Sequence, residues 1–162
     1  MSEMRTLYVI TAGEADKTAP VMNELKRPLS SKGITQVLNL LEKMKEKPFL
    51  LPDLILCPPT LYVRQTLDLL HEVVRDIPVV CKDALYSAPD YRILDTIQSL
   101  DDILFNVMLM AELPGVNQFV NYITKGSKPI QLKPAQGLLI TTDATLSWHK
   151  LGRQKARRRS FL

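Results

Sequence analysis

"VMLMAELPG", residues 107–115, is the stretch on which the fold turns. Five apolar residues run into Glu112, and Pro114 and Gly115 then bend the chain. A short apolar run stopped by Pro and Gly reads as a buried strand. Beyond the bend, Val116, Phe119, Val120 and Ile123 fall on one helical face, which predicts a helix over 115–124. A buried strand that feeds an amphipathic helix is one repeat of an α/β sheet. The polar residue between the two, Glu112, sits where such sheets hold their ligands.

The same alternation runs through the rest of the chain. Residues 5–10 read as a strand and 11–28 as a polar loop. Residues 31–47 read as a helix whose apolar stripe is Ile34, Val37, Leu38, Leu41 and Met44. Residues 53–57 form a second short strand; Pro58 and Pro59 end it and open a helix carrying Leu67, Leu70 and Val74 on one face. Strands over 77–81, 103–110 and 136–142 and a helix over 90–100 complete the pattern. This order predicts an α/β three-layer sandwich, a mostly parallel central sheet with helices on both faces and ligands beyond the strands' carboxyl ends. The domain is expected to span 1–150, with 151–162 a basic tail, mobile beyond about Arg153.

With 162 residues, 46% of them hydrophobic, the chain suits one core. No apolar run approaches the roughly 20 residues of a membrane span, and the first residues carry no apolar leader, so a soluble cytoplasmic protein is expected. Cys57 and Cys81 each end an apolar run and read as reduced core thiols rather than a disulfide. The net charge of +4 is unevenly placed: no acid follows Asp143, whereas Lys150, Arg153, Lys155, Arg157, Arg158 and Arg159 are all basic. Without those six, fifteen bases face seventeen acids, so the body is slightly acidic and the basic end is a candidate for an anionic partner.

Motifs exclude several chemistries. The six glycines never form a phosphate-binding G-x-x-x-x-G-K or G-x-G-x-x-G loop, and no metal-ligand cluster is spaced for binding. Cys57 and Arg64 suggest a cysteine-phosphatase loop, but the spacing is one residue too long. Two consecutive prolines also remove N–H groups that would cradle an anion.

Four stretches, "LYVITAG" (7–13), "RPLSSKG" (27–33), "DLILCPPTLYVRQTL" (53–67) and "VMLMAELPG" (107–115), resemble in content and order the SixA-type phosphohistidine phosphatases of the histidine phosphatase superfamily. In that family they read approximately L-Y-L-V-R-H-A, R-P-L-x-x-x-G, D-x-I-L-x-S-P-x-x-R-A-x-Q-T and V-L-L-V-x-H-x-P-x-L. The resemblance implies a histidine-phosphatase-like fold. It puts the family's nucleophilic histidine at Ala12 and the arginine before it at Thr11. One phosphate-binding arginine is retained as Arg27, another falls on Tyr62, and the second catalytic histidine falls on Glu112. Arg64 does not stand in at Tyr62, because two residues along a helix turn a side chain by about 200°.

A phosphohistidine intermediate needs an imidazole nucleophile. Only His71, inside a helical run, and His149, beside the tail, are available, and neither is near a strand's carboxyl end. Glu112 also opposes a phosphate: two unit charges about 4 Å apart repel by roughly 4 kcal/mol at an effective dielectric near 20. Arg27 and Glu112 are expected to face or pair with each other across the pocket. These departures point to a catalytically silent relative that binds or scaffolds a protein partner through Tyr62, Leu113 and Pro114, with Arg153, Arg157, Arg158 and Arg159 as further contact residues and with no cofactor or metal. One alternative is a phosphatase with relocated residues, Glu112 as general acid and Thr11 or a water as nucleophile. Another is anion or nucleic-acid binding through the basic tail, with steeply salt-dependent affinity.

Overall fold

The computed structural model describes residues 4–47 and 50–162; the part of the leader reading that rests on residues 1–3 lies outside them. Strands β1 (Thr6–Thr11), β2 (Leu54–Cys57), β3 (Val79–Cys81), β4 (Asn106–Ala111), β5 (Gly137–Thr142) and β6 (Ala156–Phe161) form one sheet in the order β3-β2-β4-β1-β5-β6. The first four in that order run parallel, while β5 is antiparallel to β1 and β6 to β5. Helices α1 (Ser31–Glu46), α2 (Leu61–Leu69), α3 (His71–Val74), α4 (Asp90–Gln98) and α5 (Gly115–Ile123) cover its two faces. The three-layer α/β arrangement is therefore present.

Alternation along the strands builds the layers. Leu7 and Val9 of β1, with Val107 and Leu109 of β4, pack under α4 and α5. Tyr8 and Ile10, with Met108 and Met110, face α1, α2 and α3. Strands buried on both sides are apolar at nearly every position, as in parallel sheets generally. The stripe expected on α1 is rotated: Gly33, Val37, Leu40, Leu41 and Met44 are buried, while Ile34 and Leu38 are exposed. Gly33 explains the rotation, since a Cβ there would come within 2.1 Å of the Glu14 carbonyl oxygen. The glycine lets the loop after β1 press onto the start of α1, which turns that face inward.

The basic end is not a mobile tail. It forms β6, paired with β5 from Thr142↔Ala156 to Leu138↔Phe161. Arg158 turns inward and is held by Thr124 Oγ1 (3.0 Å) and the Lys128 carbonyl (2.5 Å). The run of bases hides a strand: its backbone satisfies the edge of β5, and charged side chains are well suited to an outermost strand because they discourage further pairing. No described helix is long and apolar enough to cross a membrane.

Candidate functional site

Strand order places a crevice at the carboxyl ends of β1 and β4. The chain leaves β1 toward β2 on one side and leaves β4 toward β5 on the other, which is the arrangement that opens ligand sites in such sheets. Thr11 and Ala111 are register partners at the ends of the two strands, so the next residues, Ala12 and Glu112, emerge together. The crevice is a cavity of about 800 Å³, and Thr11, Ala12, Arg27, Tyr62 and Glu112 all line it.

Both carboxylate oxygens of Glu112 are held. The Tyr62 hydroxyl donates to its Oε2, and the Ser87 backbone N–H donates to its Oε1 at 2.8 Å. Ser87 reaches it because Gly115, at the start of α5, lets the preceding turn approach closely: a Cβ on Gly115 would lie 1.9 Å from the Ala88 carbonyl oxygen. Burial, and then the neighbouring carboxylate, raise the Tyr62 phenol well above its ordinary value. Tyr62 therefore stays a hydrogen-bond donor, and Glu112 an acceptor.

Arg27 does not pair with Glu112. Its Nε and Nη2 form a two-pronged bond with Glu24 (2.9 and 2.8 Å), and its Nη1 donates to the carbonyls of Asp16 (2.6 Å) and Ala19 (3.2 Å). The short turn Glu24–Lys26, capped by the Asn23 side chain, sets Glu24 three residues before Arg27 and so brings the carboxylate onto the guanidinium. Arg27 accordingly holds the Glu24 carboxyl below its usual range, and Glu24 raises Arg27 further. Of the expectation that the two face or pair, the pairing fails because a sequence-local acid outcompetes one at the end of another strand, while both still line the same cavity. The signal was legible as an acid three residues upstream.

Thr11 is buried and its hydroxyl is committed, donating to the Lys133 carbonyl at 2.5 Å and accepting from Gln136 N–H at 3.0 Å. That geometry argues against Thr11 as a nucleophile. Backbone donors near Ala12 are committed too: Gly13 N–H to Thr66 Oγ1 and Glu14 N–H to Gln36. Glu14, Lys17, Tyr86 and Ser87 also line the cavity, and nothing in the sequence pattern singles them out. Among the described residues no histidine lines the cavity: His71 begins α3, and His149 lies in the turn Trp148–Lys150 beside Ser147. Leu113 is exposed at the rim. Of the arginines expected to meet a partner, Arg153, Arg157 and Arg159 are exposed, whereas Arg158 is consumed inside the fold. Arg64 points away from Tyr62 into a different cavity, beside Cys57 and Cys81. Cys81 is exposed and not a core residue, because β3 is an edge strand; Cys57 is buried.

The chain matches no protein-family model and no curated protein sequence. Its architecture does match solved structures. It superposes on a candidate phosphohistidine phosphatase SixA from Nakamurella multipartitia with a TM-score of 0.80 at 16% identity, covering 99% of this chain and 96% of that one. A candidate SixA from Agrobacterium tumefaciens gives 0.79 at 19% identity over 98% and 97%. A protein histidine phosphatase SixA in complex with tungstate gives 0.76 at 16% over 97% and 96%. At such identities the likeness establishes the fold, which is that of the SixA-type histidine phosphatases.

Proposed function

We propose that this chain is a catalytically silent SixA-like protein that acts in the cytoplasm as a protein-binding or scaffolding module. The observation that carries the reading is the neutralised pocket. The one arginine placed to hold a phosphate is spent on Glu24, and a carboxylate, fixed by Tyr62 and Ser87, stands opposite. A transferred phosphoryl group needs fixed positive charge and donors aimed at its oxygens. Here the donors near Ala12 are engaged, and a negative group faces the space. No imidazole is positioned to take the phosphoryl group among the described lining residues.

The rim supports the binding half of the reading. Leu113 and Tyr86 are exposed large apolar side chains on the cavity wall, and Met22 is fully exposed in the segment leading to Glu24. Aromatic and apolar groups around a polar floor are the usual anchors of protein interfaces. A second reading, a phosphatase with relocated residues centred on Glu112, draws on the open 800 Å³ cavity and the SixA-like fold.

Phosphate release from phosphohistidine peptides and from a small aryl phosphate separates the two. The silent module gives no release above the enzyme-free rate, and an affinity-purified partner is lost with Leu113→Glu. Turnover abolished by Arg27→Ala or Glu112→Ala would instead establish the relocated phosphatase.

A further inference from the structure

A second cavity, of about 470 Å³, opens beside the first, on the other side of α2's first turn. Cys57 and Cys81 both line it, as do Arg64, Asp68 and Leu61. The two cysteines are the last residues of β2 and β3 and are register partners across that parallel ladder. Their side chains therefore stand on the same face of the sheet, with the sulfur atoms 3.5 Å apart. Neighbouring strands lie about 4.8 Å apart, within the roughly 4.4–6.8 Å between α-carbons that a disulfide spans.

The two thiols are not equivalent. Cys81 is exposed, and the Arg64 guanidinium lies 4.0 Å from its sulfur. Cys57 is buried, and burial followed by the bond to Cys81 pushes its thiol up to about 12. An accessible sulfur beside a cation and a shielded sulfur in contact with it are the attacking and resolving halves of a redox pair.

We propose that Cys57 and Cys81 form a reversible disulfide in response to hydroperoxides, with Cys81 as the attacking thiol and Cys57 as the resolving one. The Cys81 thiolate attacks the terminal oxygen of the hydroperoxide, the O–O bond breaks, and the departing alkoxide or hydroxide takes up a proton, leaving Cys81 as a sulfenic acid. Cys57 sulfur then attacks Cys81 sulfur; the S–O bond breaks and hydroxide leaves, combining with the Cys57 proton as water. Two thiols and one hydroperoxide become one disulfide, one alcohol (or water) and one water, and two electrons pass from sulfur to oxygen. A dithiol reductant reverses the change by exchange.

The experiment treats the native full-length chain with hydrogen peroxide and follows free thiols, intact mass and migration without reductant. Both thiols disappear together, the mass falls by two hydrogens, no disulfide links two chains, and dithiothreitol restores the starting state. In Cys57→Ser, Cys81 accumulates as a sulfenic acid that dimedone labels. In Cys81→Ser, Cys57 resists peroxide until the chain is denatured. Arg64→Gln slows bond formation severalfold, and an unchanged rate would remove Arg64 from the attacking step. The proposal is overturned if the native thiols persist while denatured chain oxidises, if only intermolecular disulfides form, or if Cys57 reacts equally well without Cys81.

Discussion

Two arginines, at opposite ends of the same sheet, have opposite fates. Arg5, at the amino end of β1, is 6% exposed. Its terminal nitrogens donate to the carbonyls of Leu146 and Asp102 (both 2.7 Å), and one lies 3.4 Å from the Asp102 carboxylate. Its guanidinium lies 4.5 Å from the centre of the Phe105 ring and 5.8 Å from that of Trp148. Trp148 is itself fully buried and donates to the Leu104 carbonyl at 2.7 Å. That end of the sheet is a plug. At the carboxyl end, Arg27 also reaches two carbonyls, but its carboxylate partner Glu24 is mostly exposed and the space before it is open. The same residue type is a structural keystone where rings and backbone enclose it. Beside a cavity, a neighbouring side chain can set its charge.

The largest effect that sharpens this contrast lies in the plug. Trp148→Ala is expected to cost about 3–5 kcal/mol, as aromatic truncations in cores do, and urea unfolding would measure it. Arg5→Met should follow at about 1.5–3 kcal/mol, because charge-assisted bonds to the Leu146 and Asp102 carbonyls are lost. Arg27→Met should cost far less in the same assay. Equal losses at the two arginines would break the contrast.

A smaller effect is expected with pH. The Tyr62 phenol is raised in the folded chain, so its contribution is present in full below its unfolded value near 10.0 and is lost progressively as pH rises above that. Stability should fall as pH rises above about 10, and Tyr62→Phe should flatten part of the fall. Cys57, whose buried thiol is raised to about 12, and Tyr8, raised mainly by its burial, contribute to the rest. The smallest expected effect is on binding: Glu24→Gln frees Arg27 and should raise the uptake of inorganic phosphate severalfold, measured by calorimetry. No change would mean that the remaining carboxylates, Glu112 and Glu14, close the site to anions.

Much of the architecture was legible because burial on both faces writes itself as apolar runs. The strands over 5–10, 53–57, 103–110 and 136–142 and the helix over 115–124 all lie within a few residues of β1, β2, β4, β5 and α5. β6 was hidden because an edge strand buries few side chains, so "ARRRSF" carries the composition of a solvated end. Its pairing is a backbone property that side-chain hydropathy does not report. At the site, the grouping of Ala12, Arg27, Tyr62 and Glu112 was legible through the block order, but their partners were not. Glu24 against Arg27 depends on a tight turn, and Ser87 against Glu112 depends on the close approach that Gly115 allows. Such contacts are decided by tenths of an ångström in the backbone.

The sheet order has a consequence for how the molecule comes to exist. β1 is flanked by β4 and β5, and about a hundred residues separate Thr6 from its partner Asn106. β2 lies beyond β4, so the first two strands to be synthesised cannot pair with each other and must wait for a third to enter between them. β2 can pair early with β3, but closing so long a loop before β1 has any partner is characteristic of slow folding. Until β4 is made, the early strands have open edges of the kind that chaperones shield and aggregates recruit. The crevice between β1 and β4 is consequently among the last features to form, and a nascent chain that ends before β4 lacks it.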